Sequence, residues 1–334
     1  MPFNAYAATA AGAPLTPHQF EPGPLGARQV QVRVESCGIC HSDLSMIHNE
    51  WGMTQFPLVP GHEVVGIIEA VGSAVEHLAL GQRVGVGWFS GSCQHCHWCL
   101  SGHHNLCAGV EGILIGRPGG FADRVQVDAL WAVPLPAELD PVSAGPLFCG
   151  GITVFSPIVE CGVRPTDRVG VVGIGGLGHL ALQFLRAWGC EVTAFSSTPA
   201  KAEAARALGA HDVIDARDPA ALAAAAGRYD FILVTVNVPL DWEAYLALLR
   251  PQGRLHVVGA VLEPIAVQAF SLLAGQKSLS ASPLGSPATV AQMLDFAARH
   301  GIAPRVKTYP FAEVNAALAE LARDRPAHRL VLTH

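Results

Sequence analysis

At residues 169–178 the chain reads Val-Gly-Val-Val-Gly-Ile-Gly-Gly-Leu-Gly, and this stretch decides the fold of its second half. An apolar run typical of a strand leads into the pattern G-x-G-x-x-G, and a segment typical of a helix follows at 177–188. The glycines permit a tight turn and let the backbone approach a pyrophosphate at the amino end of the helix. A plain glycine-rich turn is the alternative. The order of strand, turn and helix predicts a dinucleotide site at Gly173, Gly175, Gly176, Leu177 and Gly178.

The regions on either side of this turn differ in their hydrophobic pattern. From Arg168 onward apolar β runs alternate with Ala- and Leu-rich stretches, which is typical of βαβ units with a parallel sheet. Before Cys149 short β-branched runs are separated by glycine, which fits an irregular β-barrel. The predicted fold class is α/β, a doubly wound parallel Rossmann sheet plus a β-barrel domain. Strands are predicted at 29–34, 64–72, 82–86, 169–172, 192–195, 231–236, 255–258 and 329–332, and helices at 177–188, 200–208, 242–249, 289–299 and 311–323.

The length of 334 residues exceeds what one core usually supports, so two domains are expected. Because chain ends often lie close together, we expect the last helices and strand to return to the first domain. The predicted domains are therefore 1–149 with 287–334, and 150–286.

The composition limits the partners that the chain can have. Charged residues make up 14% and apolar residues 50%, which indicates either a large buried surface with a subunit interface or an Ala- and Gly-rich dilution of the charges. A net charge of −6 without a Lys/Arg run argues against nucleic acid and anionic membranes. Arg28 is the first Lys or Arg, and no uninterrupted apolar stretch reaches 18 residues, so we expect a cytoplasmic protein.

Four of the nine cysteines lie within fifteen residues, with the spacing Cys93-x2-Cys96-x2-Cys99-x7-Cys107. A loop of this kind can wrap one Zn²⁺ with four sulfur ligands, and such a site has no open position, so it would be structural. Four buried thiols without a metal are the alternative. The neighbouring imidazoles could also replace a thiol as ligand: His95, His97, His103 and His104.

A second group of metal-ligand types lies nearer the amino terminus. Cys40, His62 and Glu63 offer sulfur, nitrogen and oxygen donors, a combination that suits Zn²⁺. Because 22 positions separate Cys40 from His62, the spacing alone leaves two buried structural residues as the alternative.

The residues around this group resemble a known family. Gly38-Ile39-Cys40-His41-Ser42-Asp43, Asn49-Glu50-Trp51-Gly52 and Gly61-His62-Glu63 closely resemble the zinc-dependent medium-chain alcohol dehydrogenases, specifically their cinnamyl-alcohol-dehydrogenase-like branch. The resemblance covers nearly the whole chain, including the cysteine loop and the stretch 148–157. It implies a GroES-like catalytic domain and two zinc ions per chain. Its catalytic zinc ligands fall on Cys40, His62 and Cys149, with Glu63 as a transient fourth ligand that exchanges with water or substrate.

The resemblance also implies roles for neighbouring residues. Ser42 would pass the alcohol proton outward, and Asp43 would orient His62. The family commonly places a histidine where this chain has Ser45, so the relay would end at His48 or in water. Further contacts to the cofactor are implied for His41, Thr153, Val258 and Ala260.

The end of the strand after the glycine turn predicts the cofactor. Enzymes selective for NAD usually carry Asp or Glu there, which binds the ribose 2′-hydroxyl. This chain has Ser196 and Ser197 instead, and Lys201 follows. Hydroxyls and an ammonium suit a 2′-phosphate, so NADP(H) is favoured, as in the resembling branch, although no arginine lies between Ser196 and Lys201.

The resemblance further predicts the substrate and the assembly. The substrate-pocket positions of the branch fall on Trp51, Met53, Pro283 and Leu284, which are all apolar and could equally be core residues. They imply an apolar or aromatic alcohol or aldehyde. The segment 279–284 would form an edge strand that pairs with its two-fold copy, in a homodimer or a dimer of dimers.

The predicted function is therefore a zinc-dependent, NADP(H)-preferring alcohol dehydrogenase or aldehyde reductase. An NADPH-dependent alkene reductase of the same branch and a non-enzymatic, crystallin-like NADPH-binding protein are the alternatives. The complete set of Cys40, Ser42, His62 and Cys149 argues against both.

Overall fold

The computed structural model describes residues 1–324 and 328–334, and the chain divides into two compact units. The first unit is 1–152 with 285–334, and the second is 153–284. The strands are β1 (Phe3–Ala7), β2 (Thr16–Phe20), β3 (Gln29–Ile39), β4 (Val64–Val71), β5 (Arg83–Val86), β6 (Phe89–Gly91), β7 (Glu111–Gly112), β8 (Arg124–Asp128), β9 (Val133–Pro134), β10 (Arg168–Val172), β11 (Glu191–Ser196), β12 (Asp212–Asp215), β13 (Tyr229–Val234), β14 (Leu249–Val257), β15 (Ser278–Ala281), β16 (Val306–Pro310) and β17 (Arg329–Thr333). The helices are α1 (His41–Ile47), α2 (His97–Leu100), α3 (Pro141–Ala144), α4 (Gly150–Glu160), α5 (Gly178–Trp188), α6 (Ala202–Ala207), α7 (Pro219–Ala224), α8 (Trp242–Leu248), α9 (Ala269–Leu273), α10 (Pro287–His300) and α11 (Val314–Asp324).

The first unit is built around the long strand β3. Its sheet has the order β16-β17-β3-β4-β5-β9, and β8 also pairs with β3. The side chains of β3 alternate as the sequence predicts, because Val30, Val32 and Val34 are buried in the core while polar residues lie between them. This is the expected GroES-like β domain.

The second unit is a six-stranded parallel sheet with the order β12-β11-β10-β13-β14-β15. The strand order reverses between β10 and β13, which is where doubly wound sheets bind ligands at the carboxyl ends of their strands. The predicted Rossmann architecture is confirmed. Strand β12 is not predicted from the sequence, because Asp212 and Asp215 at its two ends leave only two apolar residues between them.

The last part of the chain, residues 285–334, belongs to the first unit. There β17 is parallel to β16 and antiparallel to β3, with Leu330 opposite Ile39. Arg329 therefore lies beside the carboxyl end of β3.

Among the described residues no single helix is both long enough and apolar enough to cross a bilayer. The segments 141–148 and 150–160 have the required length and apolar composition only when they are taken together, and they are bent by 53° relative to each other.

A buried histidine connects two strands of the second unit. His256 of β14 is 2% exposed, and its Nδ1 and Nε2 lie 2.9 Å from the hydroxyls of Ser280 and Ser282. Burial lowers the pKa of His256 to about 4, and Arg254 acts in the same direction.

We therefore predict that His256 makes folding sensitive to acid. In the unfolded chain the imidazole takes up a proton near pH 6.5, whereas in the fold it does so only near pH 4. Its contribution to stability is complete above about pH 6.5 and is lost as the pH falls towards 4, at up to about 1.4 kcal/mol per pH unit. Urea unfolding at pH 7, 6 and 5 should show a shallower loss of stability in His256→Gln than in the wild type. Parallel pH profiles would contradict the assignment.

Candidate metal and cofactor sites

One cluster of metal-ligand side chains lies in the first unit. The donor atoms of Cys40, His62, Glu63 and Cys149 all lie within 4.8 Å of one another. Cys40 follows β3, His62 and Glu63 precede β4, and Cys149 precedes α4. The antiparallel pairing of β3 with β4 brings the first three together. His62 and Glu63 are fully buried, and each cysteine is 8% exposed.

Asp43 holds this cluster in place through hydrogen bonds. One of its carboxylate oxygens accepts the backbone N–H of Cys40 at 2.8 Å, and the other accepts the backbone N–H of Gly61 at 2.9 Å. The second oxygen also lies 3.0 Å from Nδ1 of His62. When Asp43 accepts a hydrogen bond from Nδ1–H, Nε2 is unprotonated, and its lone pair is on the side of the ring where Cys149 Sγ lies, 3.3 Å away.

Glu63 forms a buried ion pair with Arg329, which the sequence analysis missed. The Arg329 guanidinium donates from Nη2 to one carboxylate oxygen of Glu63, and Arg329 is 7% exposed. A side chain at Gly38 would lie 2.0 Å from the other oxygen of Glu63, so glycine is required there. The available signal was a single charged residue at the start of the apolar strand β17.

The buried groups of this cluster strongly shift one another's pKa values. The hydrogen bond from the Cys149 thiol lowers the pKa of Cys40 well below its usual range, and His62 and Arg329 act in the same direction against burial. Burial lowers the pKa of His62, but Asp43 and Cys40 outweigh it and raise that pKa well above its usual value. Burial raises the pKa of Glu63 to about 7 although Arg329 opposes it. The cluster therefore favours a bound cation.

The donors in this cluster fit a zinc ion. Two thiols and one imidazole are the ligand set of an open zinc site, in which a fourth position is left for water or substrate. Among the described residues, Oε2 of Glu63 is buried without a hydrogen-bond partner. A buried carboxylate oxygen in this state is costly unless a cation or donor satisfies it.

Aromatic residues lie beside the cluster. The ring of Trp88 is 4.9 Å from that of His62, and Trp51 packs edge-on against Trp88 at 5.9 Å. Trp51 is among the residues predicted from the sequence, whereas Trp88 is not. Met53 is 47% exposed in the first unit, whereas Pro283 and Leu284 belong to the second.

Ser45 stands at the position where the family commonly has a relay histidine. Ser45 is buried, and its hydroxyl donates to the carboxylate of Glu50 at 2.6 Å. Ser42 lies with its hydroxyl 3.7 Å from Cys40 Sγ. His48 is exposed, as is His41.

The cysteine loop forms a second cluster in the first unit. The thiols of Cys93, Cys96, Cys99 and Cys107 lie within 4.8 Å of one another, and the neighbouring histidines are not part of this group. Backbone N–H groups are directed at the sulfurs, from Cys96 to Cys93 and from Gly109 to Cys107, at 3.3 Å each. Backbone hydrogen bonds lower the pKa of Cys93 to about 6. Four sulfurs with backbone donors fit a closed Zn²⁺ site.

The glycine turn of the second unit has the geometry of a pyrophosphate cradle. Gly173 has φ of +89°, and a side chain at Gly178 would lie 1.9 Å from the Gly173 carbonyl oxygen. At Gly175, by contrast, a Cβ would point into open space. The backbone of Gly175 is therefore accessible to a phosphate at the start of α5.

The other predicted cofactor residues lie at the carboxyl ends of the strands of the second unit. Ser196 ends β11, and its hydroxyl accepts the backbone N–H of Thr198 at 3.2 Å. Ser197 is exposed and Lys201 is partly exposed. Val258 and Ala260 line a cavity of about 650 Å³, and Thr153 lies in α4.

Comparisons with known proteins agree with this architecture. Residues 26–137 match the Alcohol dehydrogenase GroES-like domain family, and residues 176–299 match the Zinc-binding dehydrogenase family. Aldehyde reductase AdhA of Synechocystis is 56% identical over 331 residues, covering 99% of this chain and 98% of the relative.

Two solved structures have the same fold over the whole chain. A cinnamyl alcohol dehydrogenase of Sorghum bicolor superposes with a TM-score of 0.95 at 37% identity, covering 100% of this chain and 98% of the other. One from Helicobacter pylori, complexed with NADP(H), has a TM-score of 0.92 at 28% identity, covering 100% and 99%.

The fold and the matches define a dehydrogenase with a GroES-like domain and a Rossmann domain. This chain belongs to the zinc-dependent medium-chain alcohol dehydrogenase family, in its cinnamyl-alcohol-dehydrogenase-like branch.

The ion pair of Arg329 with Glu63 generates a prediction about stability. Arg329→Met should destabilise the fold by about 3–5 kcal/mol, because it leaves the Glu63 carboxylate buried and unpaired. Arg299→Ala is the matched control, since it removes an exposed pair with Asp295 and should cost at most about 1 kcal/mol. Urea unfolding at pH 8 measures both. Equal losses in the two variants would show that the buried pair has no special weight.

Proposed function

We propose that this protein is a zinc-dependent alcohol dehydrogenase or aldehyde reductase that prefers NADP(H) and acts on apolar or aromatic primary alcohols and aldehydes. The observation that carries the proposal is the buried cluster of two thiols, an imidazole and a carboxylate in the first unit. Family membership supports the reaction class, an oxidoreductase acting on alcohols and aldehydes. We assign catalysis to residues 1–149 with 287–334, and dinucleotide binding to 150–286.

The residues of the cluster have distinct proposed roles. Cys40, His62 and Cys149 would hold the catalytic zinc, and Glu63 would serve as a transient fourth ligand that can give way to water or substrate. Bound zinc supplies Lewis acidity, which lowers the pKa of an alcohol or polarises a carbonyl. Asp43 fixes the tautomer of His62 through Nδ1, at 3.0 Å. Cys93, Cys96, Cys99 and Cys107 would hold a second zinc, whose role would be to stiffen the loop that carries them.

Arg329 supports the exchange of Glu63 in this proposal. While it pairs with the guanidinium, the carboxylate keeps one oxygen in a hydrogen bond and the other available to a metal. Arg329 therefore stabilises the Glu63 carboxylate when it is not bound to the metal. Ser42, whose hydroxyl lies beside Cys40, is proposed to pass the alcohol proton outward: it accepts that proton while donating its own to the next group of the relay, His48 or water.

The choice of NADP(H) rests on the carboxyl end of β11. Ser196 stands where an NAD-selective enzyme has an acid, and Ser197 and Lys201 follow. The Helicobacter pylori relative, which is complexed with NADP(H), supports the same choice. His41, Thr153, Val258 and Ala260 complete the proposed cofactor contacts.

The substrate class rests on apolar side chains and on the relatives. Trp51 and Trp88 form an aromatic pair next to His62, and Met53 is exposed in the same unit. Pro283 and Leu284 are assigned to the same role. The names of two relatives, an aldehyde reductase and a cinnamyl alcohol dehydrogenase, support the same substrate class.

The direct test is an assay of zinc-loaded protein with cinnamaldehyde and benzaldehyde, using NADPH and NADH in parallel. We expect aldehyde-dependent oxidation of NADPH, with a higher kcat/KM than for NADH. Cofactor that binds but is not turned over with either aldehyde would contradict the proposal.

Metal analysis should separate the two clusters. We expect two zinc ions per chain, of which the one in the open site exchanges more readily. Cys149→Ala should abolish turnover and remove up to one zinc while circular dichroism stays native. Cys96→Ala should instead lower stability and solubility, because it opens the closed site. Full activity in Cys149→Ala would overturn the assignment.

Ser196→Asp tests the choice of cofactor. The new carboxylate would face the 2′-phosphate, and like charges at such a distance cost on the order of a kcal/mol or more. The ratio of kcat/KM for NADPH to that for NADH should fall by about tenfold per 1.4 kcal/mol. Ser196→Ala serves as the control, because it removes the hydroxyl without adding charge. A wild type that already favours NADH would refute the preference.

We also propose that the protein is a homodimer, or a dimer of dimers, joined through β15. This strand is at the edge of the six-stranded sheet, and an open edge is an aggregation hazard unless it is paired. Ser280→Pro removes a backbone donor of β15 and should produce monomers by light scattering, with lower activity at low protein concentration. Ser280→Ala keeps that donor and should remain dimeric. A fully active wild-type monomer would contradict this assembly.

A further inference from the structure

The carboxyl end of β12 lies directly beside Ser196. In the parallel pairing of β11 with β12, Ser196 is opposite Asp215. The backbone N–H of Ala216 then donates to the carbonyl of Ser196 at 3.1 Å. The residues after β12 therefore adjoin the position at which Rossmann enzymes distinguish the two ribose forms. All of these residues belong to the second unit.

Arg217 is bound to Asp215 at this corner. The backbone N–H of Arg217 donates to one carboxylate oxygen at 2.9 Å, and its guanidinium donates to both oxygens at 3.3 and 3.4 Å. The Arg217 side chain is nevertheless 61% exposed. A guanidinium has five N–H donors, so the pair with Asp215 leaves several that can bind another anion.

The charges of this pair bear on cofactor choice. Asp215 is a carboxylate one strand away from Ser196, and by itself it would repel a 2′-phosphate as an acid at Ser196 does. Arg217 cancels that charge. Its planar guanidinium also matches phosphate oxygens better than an ammonium does, so it complements Lys201.

We propose that Arg217 is a specificity-determining residue that binds the 2′-phosphate of NADP(H), while its pair with Asp215 masks the carboxylate that would otherwise favour the unphosphorylated ribose. The inference rests on the proposed preference for NADP(H) and extends it to a residue outside the 196–201 segment. No arginine lies between Ser196 and Lys201, and Arg217 supplies one from the segment that follows the neighbouring strand β12.

The test measures binding without turnover. Full-length, zinc-loaded protein is titrated by calorimetry with adenosine 2′,5′-bisphosphate and with 5′-AMP, which differ only by the 2′-phosphate. We expect Arg217→Gln to weaken binding of the bisphosphate by about tenfold, and binding of 5′-AMP by less than about twofold. Asp215→Asn in addition should restore part of the lost affinity, because it removes the unmasked carboxylate.

Arg168→Gln is the matched control. Arg168 forms a similar exposed pair with Glu191, but at the amino ends of β10 and β11, away from the proposed site. It should leave the affinity for both nucleotides unchanged.

The outcomes distinguish the role of Arg217 from the preference for NADP(H) on which it rests. If the wild type prefers the bisphosphate and Arg217→Gln keeps that preference in full, the role of Arg217 is wrong while the choice of NADP(H) stands. An equal loss for both nucleotides would assign Arg217 a structural role and also overturns the inference. If the wild type binds both nucleotides equally, the preference for NADP(H) itself fails, and the role of Arg217 with it.

Discussion

The first unit depends on keeping several ionisable groups together where water is excluded. Two thiols, two carboxylates, an imidazole and one guanidinium share the space around His62, and each raises or lowers the pKa of another. Removing any one leaves an uncompensated charge or an unsatisfied donor in a medium of low polarity. The same imbalance favours a divalent cation, since Glu63 and the thiols are acceptors of positive charge. Stability and metal binding therefore have one physical origin here.

Strand β3 makes this arrangement possible. It pairs with β4, which places His62 and Glu63 next to Cys40, and with β17, which places Arg329 at the same end. Glycine at position 38 keeps the space that Glu63 occupies. The site is thus supported by paired strands and not by flexible loops alone, which favours a fixed geometry of the ligands.

What the sequence could predict depended on how local each signal was. The thiols at 93–107 were found from spacing, the glycine turn from its flanking strand and helix, and Cys40 with His62 from resemblance to a family. The ion pair of Glu63 with Arg329 joins residues 266 positions apart and has no local pattern. The same holds for Trp88 beside His62 and for Asp215 opposite Ser196, because the fold brings these residues together and no local pattern marks them. Strand β12 was missed for another reason, since its polar ends hide a short apolar centre.

We propose that one zinc ion lies in a site closed by four thiols and that the other lies in an open site with two thiols and an imidazole. X-ray absorption at the zinc K-edge of the fully loaded protein tests it most directly, because sulfur and nitrogen or oxygen neighbours lie at different distances. Averaged over both ions, we expect about three sulfur neighbours at about 2.3 Å and about one nitrogen or oxygen neighbour at about 2.0–2.1 Å. An average of about four sulfur neighbours would contradict it, because zinc would then be held only by the loop at 93–107.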